Sequence, residues 1–252
     1  MSRLSVLSVV IAAYNEQETI EPLTRRLHHT LSGLAGRPWE VLYVVEGRDR
    51  TREILERLDA ELGGGLRILY AENPSGLGNA FRRGFAALAP DTGVVVTLDA
   101  DLNHQPEEIP RLVDALERTG SDIVVGSRFL GESQVEGTPA WKRFLSGVMN
   151  VLMRYLFGVK VRDKTSGFRV YRAEALRSLQ FINNDFAFLP EILIRANNAG
   201  LRIVEEPIHF IFRREGTSKM AIVTTCLSYL RLLWMRLSLK RNGGAGERLR
   251  VL

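Results

Sequence analysis

The first half of the chain alternates short runs of β-branched residues with amphipathic helical patterns, and this alternation constrains the fold more than any other feature. It is the sequence form of repeated βα units around a mainly parallel sheet. The predicted strands cover residues 5–12, 40–45, 67–70, 94–98 and 123–125. Each gap between them has room for one helix, so we predict an α/β fold with helices flanking a central sheet.

The starts of the helices are predicted from residues that follow these strands in the sequence. Asn15 and Glu18 have the spacing of a capping box, and Asp49 can cap the helix that follows it. Pro106, followed by two glutamates, is typical of a first helical turn.

The pattern changes after Gly126. Residues 141–159 indicate one helix or a bent pair, and a loop is predicted over 163–169. Further helices are expected around 173–179 and 190–197, and two strands at 203–206 and 208–212 are separated by Pro207. A last helix over about 220–240 precedes a tail at 242–252.

The net charge of +5 is concentrated at the carboxyl end, which favours an anionic partner. The last helix combines a wide apolar face, a thin polar stripe and terminal arginines, which is typical of a helix lying in a membrane interface. Packing on its own sheet is the alternative. The single cysteine, Cys226, excludes an internal disulfide and suits a reducing compartment. The apolar run at 4–13 leads directly into polar residues, so we expect no signal peptide there.

Two aspartates, Asp99 and Asp101, directly follow the predicted strand 94–98. At the carboxyl end of such a strand, side chains point into the crevice where α/β proteins bind ligands. A divalent cation relieves the repulsion between adjacent acids, and oxygen ligands suit Mg²⁺ or Mn²⁺. The cation can in turn bind a diphosphate. A solvated acidic loop is the alternative, and the position behind an apolar strand favours the metal.

Six stretches of the chain carry a family resemblance. They are Val-Val-Ile-Ala-Ala-Tyr-Asn-Glu at 9–16, Gly-Leu-Gly-Asn-Ala at 76–80, Asp-Ala-Asp-Leu-Asn-His-Gln-Pro-Glu at 99–107, Gly-Ser-Arg at 126–128, Asp-Lys-Thr-Ser-Gly-Phe-Arg-Val-Tyr at 163–171 and Arg-Arg-Glu-Gly-Thr-Ser-Lys at 213–219. In this order they resemble the inverting family-two glycosyltransferases of GT-A fold, and most closely the dolichol- or polyprenol-phosphate mannose synthases.

The resemblance implies a role for each matching position. The nucleotide sugar would contact Ala12, Tyr14, Glu16, Val44, Glu46, Asp99, Ala100, Asp101, Asn103, Arg128, Arg213 and Lys219. The metal would be held by Asp101 and Asn103, with Asp99 beside them. Catalysis would rest on Asp101, Arg128, Arg213 and Lys219, which control charge on the phosphates. The candidates for the acceptor phosphate are Ser166 and Arg169. His104, beside the metal loop, is interpreted either as a structural residue or as one that supports a metal ligand from behind.

The resemblance also sets the domain boundaries. A GT-A domain is expected over 1–218, with an interfacial helical segment at 141–159. An amphipathic membrane-interface helix would cover 219–241, and a tail 242–252. The chain departs from the family pattern behind the second strand, where Val45 and Glu46 replace two aspartates. The base of the donor, and its sugar, therefore stay open.

The function implied is inverting transfer of a sugar to dolichyl or polyprenyl phosphate for downstream glycosylation, with mannose from GDP-mannose favoured. A lipid phosphate needs no general base, because its second pKa lies near ~6 and it is already largely ionised. The enzyme would act at the cytoplasmic face of a membrane as a peripheral or monotopic protein, and the need for a small membrane subunit stays open.

Three alternatives remain. The same fold could use a UDP-glucose type donor, or a saccharide acceptor, or serve as a non-catalytic subunit. Nucleic-acid binding is disfavoured because no recognition motif accompanies the charge. A dinucleotide oxidoreductase is disfavoured because no Gly-x-Gly-x-x-Gly follows the first strand.

Overall fold

The computed structural model describes residues 5–34 and 36–212. Its nine strands are β1 (Val6–Tyr14), β2 (Trp39–Glu46), β3 (Leu66–Ala71), β4 (Thr92–Asp99), β5 (Ile123–Ser127), β6 (Gln134–Glu136), β7 (Arg169–Arg172), β8 (Ile203–Pro207) and β9 (His209–Ile211). Seven of them form one sheet in the order β3-β2-β1-β4-β7-β5-β8, and β6 pairs with β9 in a second, small sheet.

The main sheet is mostly parallel, which confirms the predicted fold class. β1 pairs in parallel with β2 and β4, β2 with β3, and β5 with β8. All five strands predicted in the first half are present, each slightly longer than its pattern indicated. The two strands predicted around Pro207 form as β8 and β9, and they belong to different sheets.

The helices are α1 (Ile20–Ser32), α2 (Thr51–Leu62), α3 (Leu77–Ala86), α4 (Ile109–Thr119), α5 (Ala140–Phe157), α6 (Ala173–Ser178) and α7 (Phe188–Asn198). A 3₁₀ turn at Pro106–Glu108 precedes α4, as the proline and glutamates predicted. Helices α1, α2 and α4 bury leucines against one face of the sheet, while α3, α6 and α7 cover the other. Apolar burial on both faces explains why the central strands read as continuous apolar runs.

The predicted capping box at Asn15 is wrong. Helix α1 begins at Ile20, four residues later than a capping box at Asn15 requires. Asn15 instead adopts the left-handed conformation (φ 51°) and accepts hydrogen bonds from the N–H groups of Arg48 and Asp49. Asp49 does stabilise the start of α2, since its carboxylate accepts from the N–H of Thr51.

The sequence patterns did not reveal two strands, the short β6 and β7. Strand β7 is the one that shapes the main sheet. It runs antiparallel to both of its neighbours, β4 and β5, and therefore joins the two parallel parts of the sheet. Because the residues just before β7 form the 163–169 loop, this insertion brings that loop to the carboxyl end of β4.

Helix α5 is a single helix, which decides between the two forms that the sequence allowed. Val148, Val151 and Tyr155 lie on one helical stripe and are exposed, Tyr155 by 81%. Among the described residues, none of the helices has both the length and the apolar character to cross a bilayer. The predicted interface helix at 219–241 and the tail at 242–252 lie outside the described residues, as do Arg213 and Lys219.

Candidate active site

The carboxyl ends of three adjacent strands meet at one edge of the sheet. In the observed register Ala12 of β1 lies between Val44 of β2 and Asp99 of β4. Two residues further along, Tyr14 lies beside Glu46. Strand pairing alone therefore brings together five of the twelve residues predicted to contact the nucleotide sugar.

The turn after β1 is held close to the turn after β2. A side chain at Gly47 would collide with the amide of Asn15, so the two turns can approach only because position 47 is glycine with φ +110°. Glu16 donates its N–H to Thr51 and accepts a hydrogen bond from the hydroxyl of Thr19 at 2.9 Å. Tyr14 remains 40% exposed at the edge of the site.

Asp99 has an unusual electrostatic environment. Burial, and then the charge of Asp101, raise the pKa of Asp99 to about 7, although Arg128 and Arg169 act in the opposite direction. The side chain is nevertheless 35% exposed, so it can be reached by a ligand. A bound cation would favour the ionised form of this carboxyl, as expected for a metal site.

Asp101 is oriented by Asn103. The N–H of Asn103 donates to one oxygen of Asp101 at 3.1 Å, and its side-chain amide donates to the other at 2.6 Å. Leu102 between them has φ 62°, which folds the chain tightly enough for both contacts. Asn103 was predicted as a metal ligand, and in this arrangement its amide nitrogen positions the carboxylate of Asp101.

The donor set fits a hard divalent cation. Two carboxylates and an amide supply the oxygen ligands that Mg²⁺ and Mn²⁺ prefer, and such ions complete their coordination with phosphate and water. In the described part of the chain no group of three His, Cys, Asp or Glu residues could enclose a metal by itself.

His104 is a buried, neutral residue. Its ring is 1% exposed and packs against Phe168 and Phe210, and its Nε2 lies 3.2 Å from a carboxylate oxygen of Asp99. Burial, with a smaller contribution from Arg128, lowers the pKa of His104 to about 3. His104 therefore packs in the core and also contacts the carboxylate of Asp99, which is compatible with both predicted roles.

The 163–169 loop is organised around Asp163, which is fully buried. Its carboxylate accepts three hydrogen bonds from Arg128, of which the one from Nε measures 2.8 Å, and others from the N–H groups of Thr165 and Ser166. Burial alone would raise the pKa of Asp163, but Arg128 and the other donors outweigh it and hold the pKa below its usual value. Arg128 thus anchors the loop, and with 21% of its side chain exposed it can still be reached by a phosphate.

The prediction for Ser166 and Arg169 needs correction. Ser166 is 1% exposed, and Arg169 is fully buried and donates to the backbone carbonyls of Leu189 and Lys164. Because both side chains are enclosed by protein, they hold the loop in shape and present no surface to an acceptor phosphate. Two half-buried hydroxyl groups lie in this region, that of Thr165 in the loop and that of Ser146 in α5, and they are 3.2 Å apart.

Gly167 of this loop lies directly against the side chain of Asp99. A Cβ at this position would lie 2.5 Å from Oδ1 and 2.9 Å from Cγ of Asp99. The hydroxyl of Thr97 donates to the carbonyl of Gly167 at 2.7 Å, which fixes the loop against β4. The glycine therefore lets the loop backbone support the Asp99 carboxylate directly.

Glu46 is occupied by neighbouring donors. It is 4% exposed and accepts hydrogen bonds from the N–H and hydroxyl of Ser75 and from Arg83. The side chain of Val44 is also buried and packs near Gly84, and Ala100 is 4% exposed. Val44 and Ala100 could therefore contact a nucleotide only through their backbone.

The Gly-Leu-Gly turn serves a packing role that its sequence did not reveal. Gly78 donates its N–H to the carbonyl of Asn184 at 2.8 Å. Side chains at Gly76 and Gly78 would collide with the backbone of Asn184 and Asn183, respectively. These glycines dock the start of α3 against the segment between α6 and α7.

Relatives of known activity extend over most of the chain. The family model "Glycosyl transferase family 2" matches residues 8–180. A polyprenol monophosphomannose synthase of Mycolicibacterium smegmatis is 34% identical over 84% of this chain and 80% of its own length. A dolichol-phosphate mannosyltransferase of Pyrococcus furiosus is 34% identical over 90% of this chain and 62% of its own length. An undecaprenyl-phosphate mannosyltransferase of Micrococcus luteus is 32% identical over 84% of this chain and 86% of its own length.

Solved structures share the fold. Glucosyl-3-phosphoglycerate synthase from Mycobacterium tuberculosis, in complex with Mn²⁺, UDP and phosphoglyceric acid, superposes with a TM-score of 0.66 at 21% identity. The superposition covers 96% of this chain and 80% of that one. The family match spans well over half of the sequence and includes the Asp99–Asp101 site and the 163–169 loop, so the chain belongs to glycosyl transferase family 2.

Proposed function

We propose that this protein transfers mannose from GDP-mannose to a polyprenyl phosphate, with inversion at the anomeric carbon. The observation that carries the proposal is the set of relatives. Three enzymes named as mannose transferases to polyprenol, dolichol or undecaprenyl phosphate are 32–34% identical to at least 84% of the chain. At this level of identity over so much of the chain, the same acceptor class is the simplest inference.

The edge of the sheet supports nucleotide-sugar chemistry. Asp101 and Asp99 would hold Mg²⁺ or Mn²⁺, with Asn103 keeping Asp101 in orientation. When bound, the cation would supply positive charge to the leaving diphosphate. Tyr14, Glu16 and the backbone of Ala12 lie at the ends of the same strands and would contact the nucleoside.

The acceptor class is supported by the properties of His104. In an inverting transfer, an acceptor oxygen attacks the anomeric carbon while the nucleoside diphosphate leaves. A sugar hydroxyl must lose a proton in this step, whereas a phosphate is already ionised. His104 is 1% exposed, and its ring packs against Phe168 and Phe210, so it is poorly placed to accept that proton from a bound sugar. A phosphate acceptor needs no such group.

The acceptor would approach beside α5. Arg128, Thr165 and Ser146 form a connected polar group between the loop and this helix, and one face of α5 is apolar and exposed. A phosphate would contact the polar group while the prenyl chain follows the apolar face. Arg213 and Lys219 would add charge at the phosphates. We place the protein at the cytoplasmic surface of a membrane, with the 141–159 segment and the 219–241 helix in contact with lipid.

A second candidate function is transfer from a UDP-sugar. A fold neighbour was solved with UDP, and the last two residues of β2 are Val45 and Glu46. Val45 packs in the core and Glu46 is engaged by Ser75 and Arg83, so neither reveals which base is read.

Transfer from labelled GDP-mannose and UDP-glucose, offered separately with Mn²⁺ and a short polyprenyl phosphate, tests the proposal. We expect metal-dependent label in the lipid phase from GDP-mannose. Asp101→Asn should abolish it, and Asp114→Asn, which changes an exposed residue of α4, should not. Label from UDP-glucose alone would establish the second candidate. No transfer from either donor, together with no binding of GDP or UDP, would favour a non-catalytic subunit.

A further inference from the structure

Lys164 is a buried lysine that forms no ion pair among the described residues. Its side chain is 1% exposed, and its ammonium group donates to the backbone carbonyls of Asn150, at 3.0 Å, and Val161. Burial lowers the pKa of Lys164, although Glu205 opposes the effect. A lysine enclosed in this way loses hydration and rotamer freedom, so its position needs an explanation.

The contacts of Lys164 join the 163–169 loop to α5. Besides the ammonium contacts, the backbone N–H of Lys164 donates to the side-chain oxygen of Asn150 at 2.9 Å. One turn earlier on the same helix, the hydroxyl of Ser146 contacts that of Thr165. The loop is therefore attached to a single face of α5 at two positions four residues apart.

The opposite side of α5 is the one that carries exposed apolar groups. Asn150 and Met153 are only 5% and 1% exposed, while Val151 and Tyr155 are 55% and 81% exposed. A helix with this division presents one face to the loop and the other to its surroundings. Under the proposed function those surroundings are lipid and the prenyl chain.

The other end of the loop contacts the metal residues. Gly167 lies against the carboxylate of Asp99, and its carbonyl is fixed by Thr97. A continuous chain of contacts thus runs from the exposed face of α5, through Asn150 and Lys164, to Asp99.

We propose that Lys164 is a positioning residue that couples the contact of α5 with a lipid surface to the affinity of the metal–nucleotide site. The inference rests on the proposed function, since it assumes a nucleoside diphosphate at Asp99 and lipid at α5. Coupling between two sites is reciprocal, so nucleotide must strengthen lipid binding by the same factor as lipid strengthens nucleotide binding.

The test measures binding alone. Calorimetry with Mn²⁺ and either GDP or UDP gives the Kd of the full chain, with and without vesicles of equal parts phosphatidylglycerol and phosphatidylcholine. Vesicle flotation with and without the tighter-binding nucleotide gives the reverse effect. The variant Lys164→Met keeps the length and apolar part of the side chain and removes its donors. Lys160→Met, at an exposed position nearby, is the matched control.

We expect vesicles to tighten nucleotide binding by the wild type about fivefold, within the usual range of coupling between sites. Lys160→Met should keep this factor, and Lys164→Met should bring it close to one. A general loss of stability would instead weaken binding under both conditions and leave the ratio of the two affinities unchanged. Should Lys164→Met not fold, Asn150→Ala removes the side-chain contact and should reduce the factor partly.

Three outcomes would overturn the inference. The first is that vesicles do not change the nucleotide affinity of the wild type. The second is that Lys164→Met shows the same factor as the wild type, or that Asn150→Ala does so where it replaces Lys164→Met in the test. The third is no binding of GDP or UDP under either condition, which would also remove the proposed function. The first two leave the proposed function intact, so the two failures can be told apart.

Discussion

Replacing Gly167 by alanine tests whether the 163–169 loop positions the Asp99 carboxylate. The added Cβ would lie 2.5 Å from Oδ1 of Asp99, and ordinary van der Waals contact begins at 3.4 Å. The loop or the carboxylate must therefore move by about 0.9 Å. A misplacement of about 1 Å at a reacting centre can cost roughly 10²-fold in rate.

We expect Gly167→Ala to lower kcat/KM for mannosyl transfer by about two orders of magnitude. Overpacking should also cost about 1–3 kcal/mol of stability, which lowers Tm by about 2–4 °C per kcal/mol in a chain of this size. Transfer kinetics at a temperature well below Tm separate the two effects. Gly131→Ala is the control, because a Cβ at that position meets nothing within 4 Å. If Gly167→Ala transfers mannose as fast as Gly131→Ala, the loop does not position Asp99.

Three further predictions concern stability and lipid binding. Asp163→Asn removes the charge of a fully buried carboxylate from its ion pair and should lower the free energy of unfolding by about 3 kcal/mol. The pKa of Asp163 is lowered on folding, so its contribution to stability is present above pH ~4 and is lost as the pH falls through the folded pKa. In an acid titration, the stability of Asp163→Asn should therefore fall less than that of the wild type. Gly78→Ala should lower the urea midpoint, because its Cβ collides with the carbonyl of Asn183. Tyr155→Ser should weaken vesicle binding by about tenfold, as expected for the loss of a large apolar contact, while Tyr70→Ser at the end of β3 should not; equal flotation of both variants would contradict a lipid-facing α5.

Four of the five strands of the first half could be predicted because they are buried on both faces, whereas the edge strand β3 is only partly buried. Their side chains form continuous apolar runs, and the helices between them repeat apolar residues at helical spacing. The acidic pair at the end of β4 could be predicted for the same reason, since a strand end in a parallel sheet fixes where the next residues point.

Strand β7 could not be predicted from local pattern, because it is short and its pairing partners lie far away in sequence. The same limit applies to Arg169 and Lys164. Charged residues are rarely fully buried, so a pattern read along the sequence places them at the surface. Only the tertiary structure shows that backbone carbonyls accept hydrogen bonds from the Lys164 ammonium group and from both terminal nitrogens of Arg169.

Asn15 illustrates a different limit. Asparagine favours both helix caps and left-handed turns, and a local motif does not distinguish between them. The turn after β2 decides the outcome, because its N–H groups take the side-chain oxygen that a cap would need.

The position of β7 between β4 and β5 has a consequence for how the chain is made. During synthesis, β4 emerges well before β7, which begins at Arg169. Until then one edge of β4, including the apolar run Val94 to Val96, has no strand to pair with. An unpaired apolar edge is a template for association with other chains. A ribosome-bound chain that has not yet released residue 172 should therefore depend on a chaperone, and it should lose that dependence once β7 has been inserted.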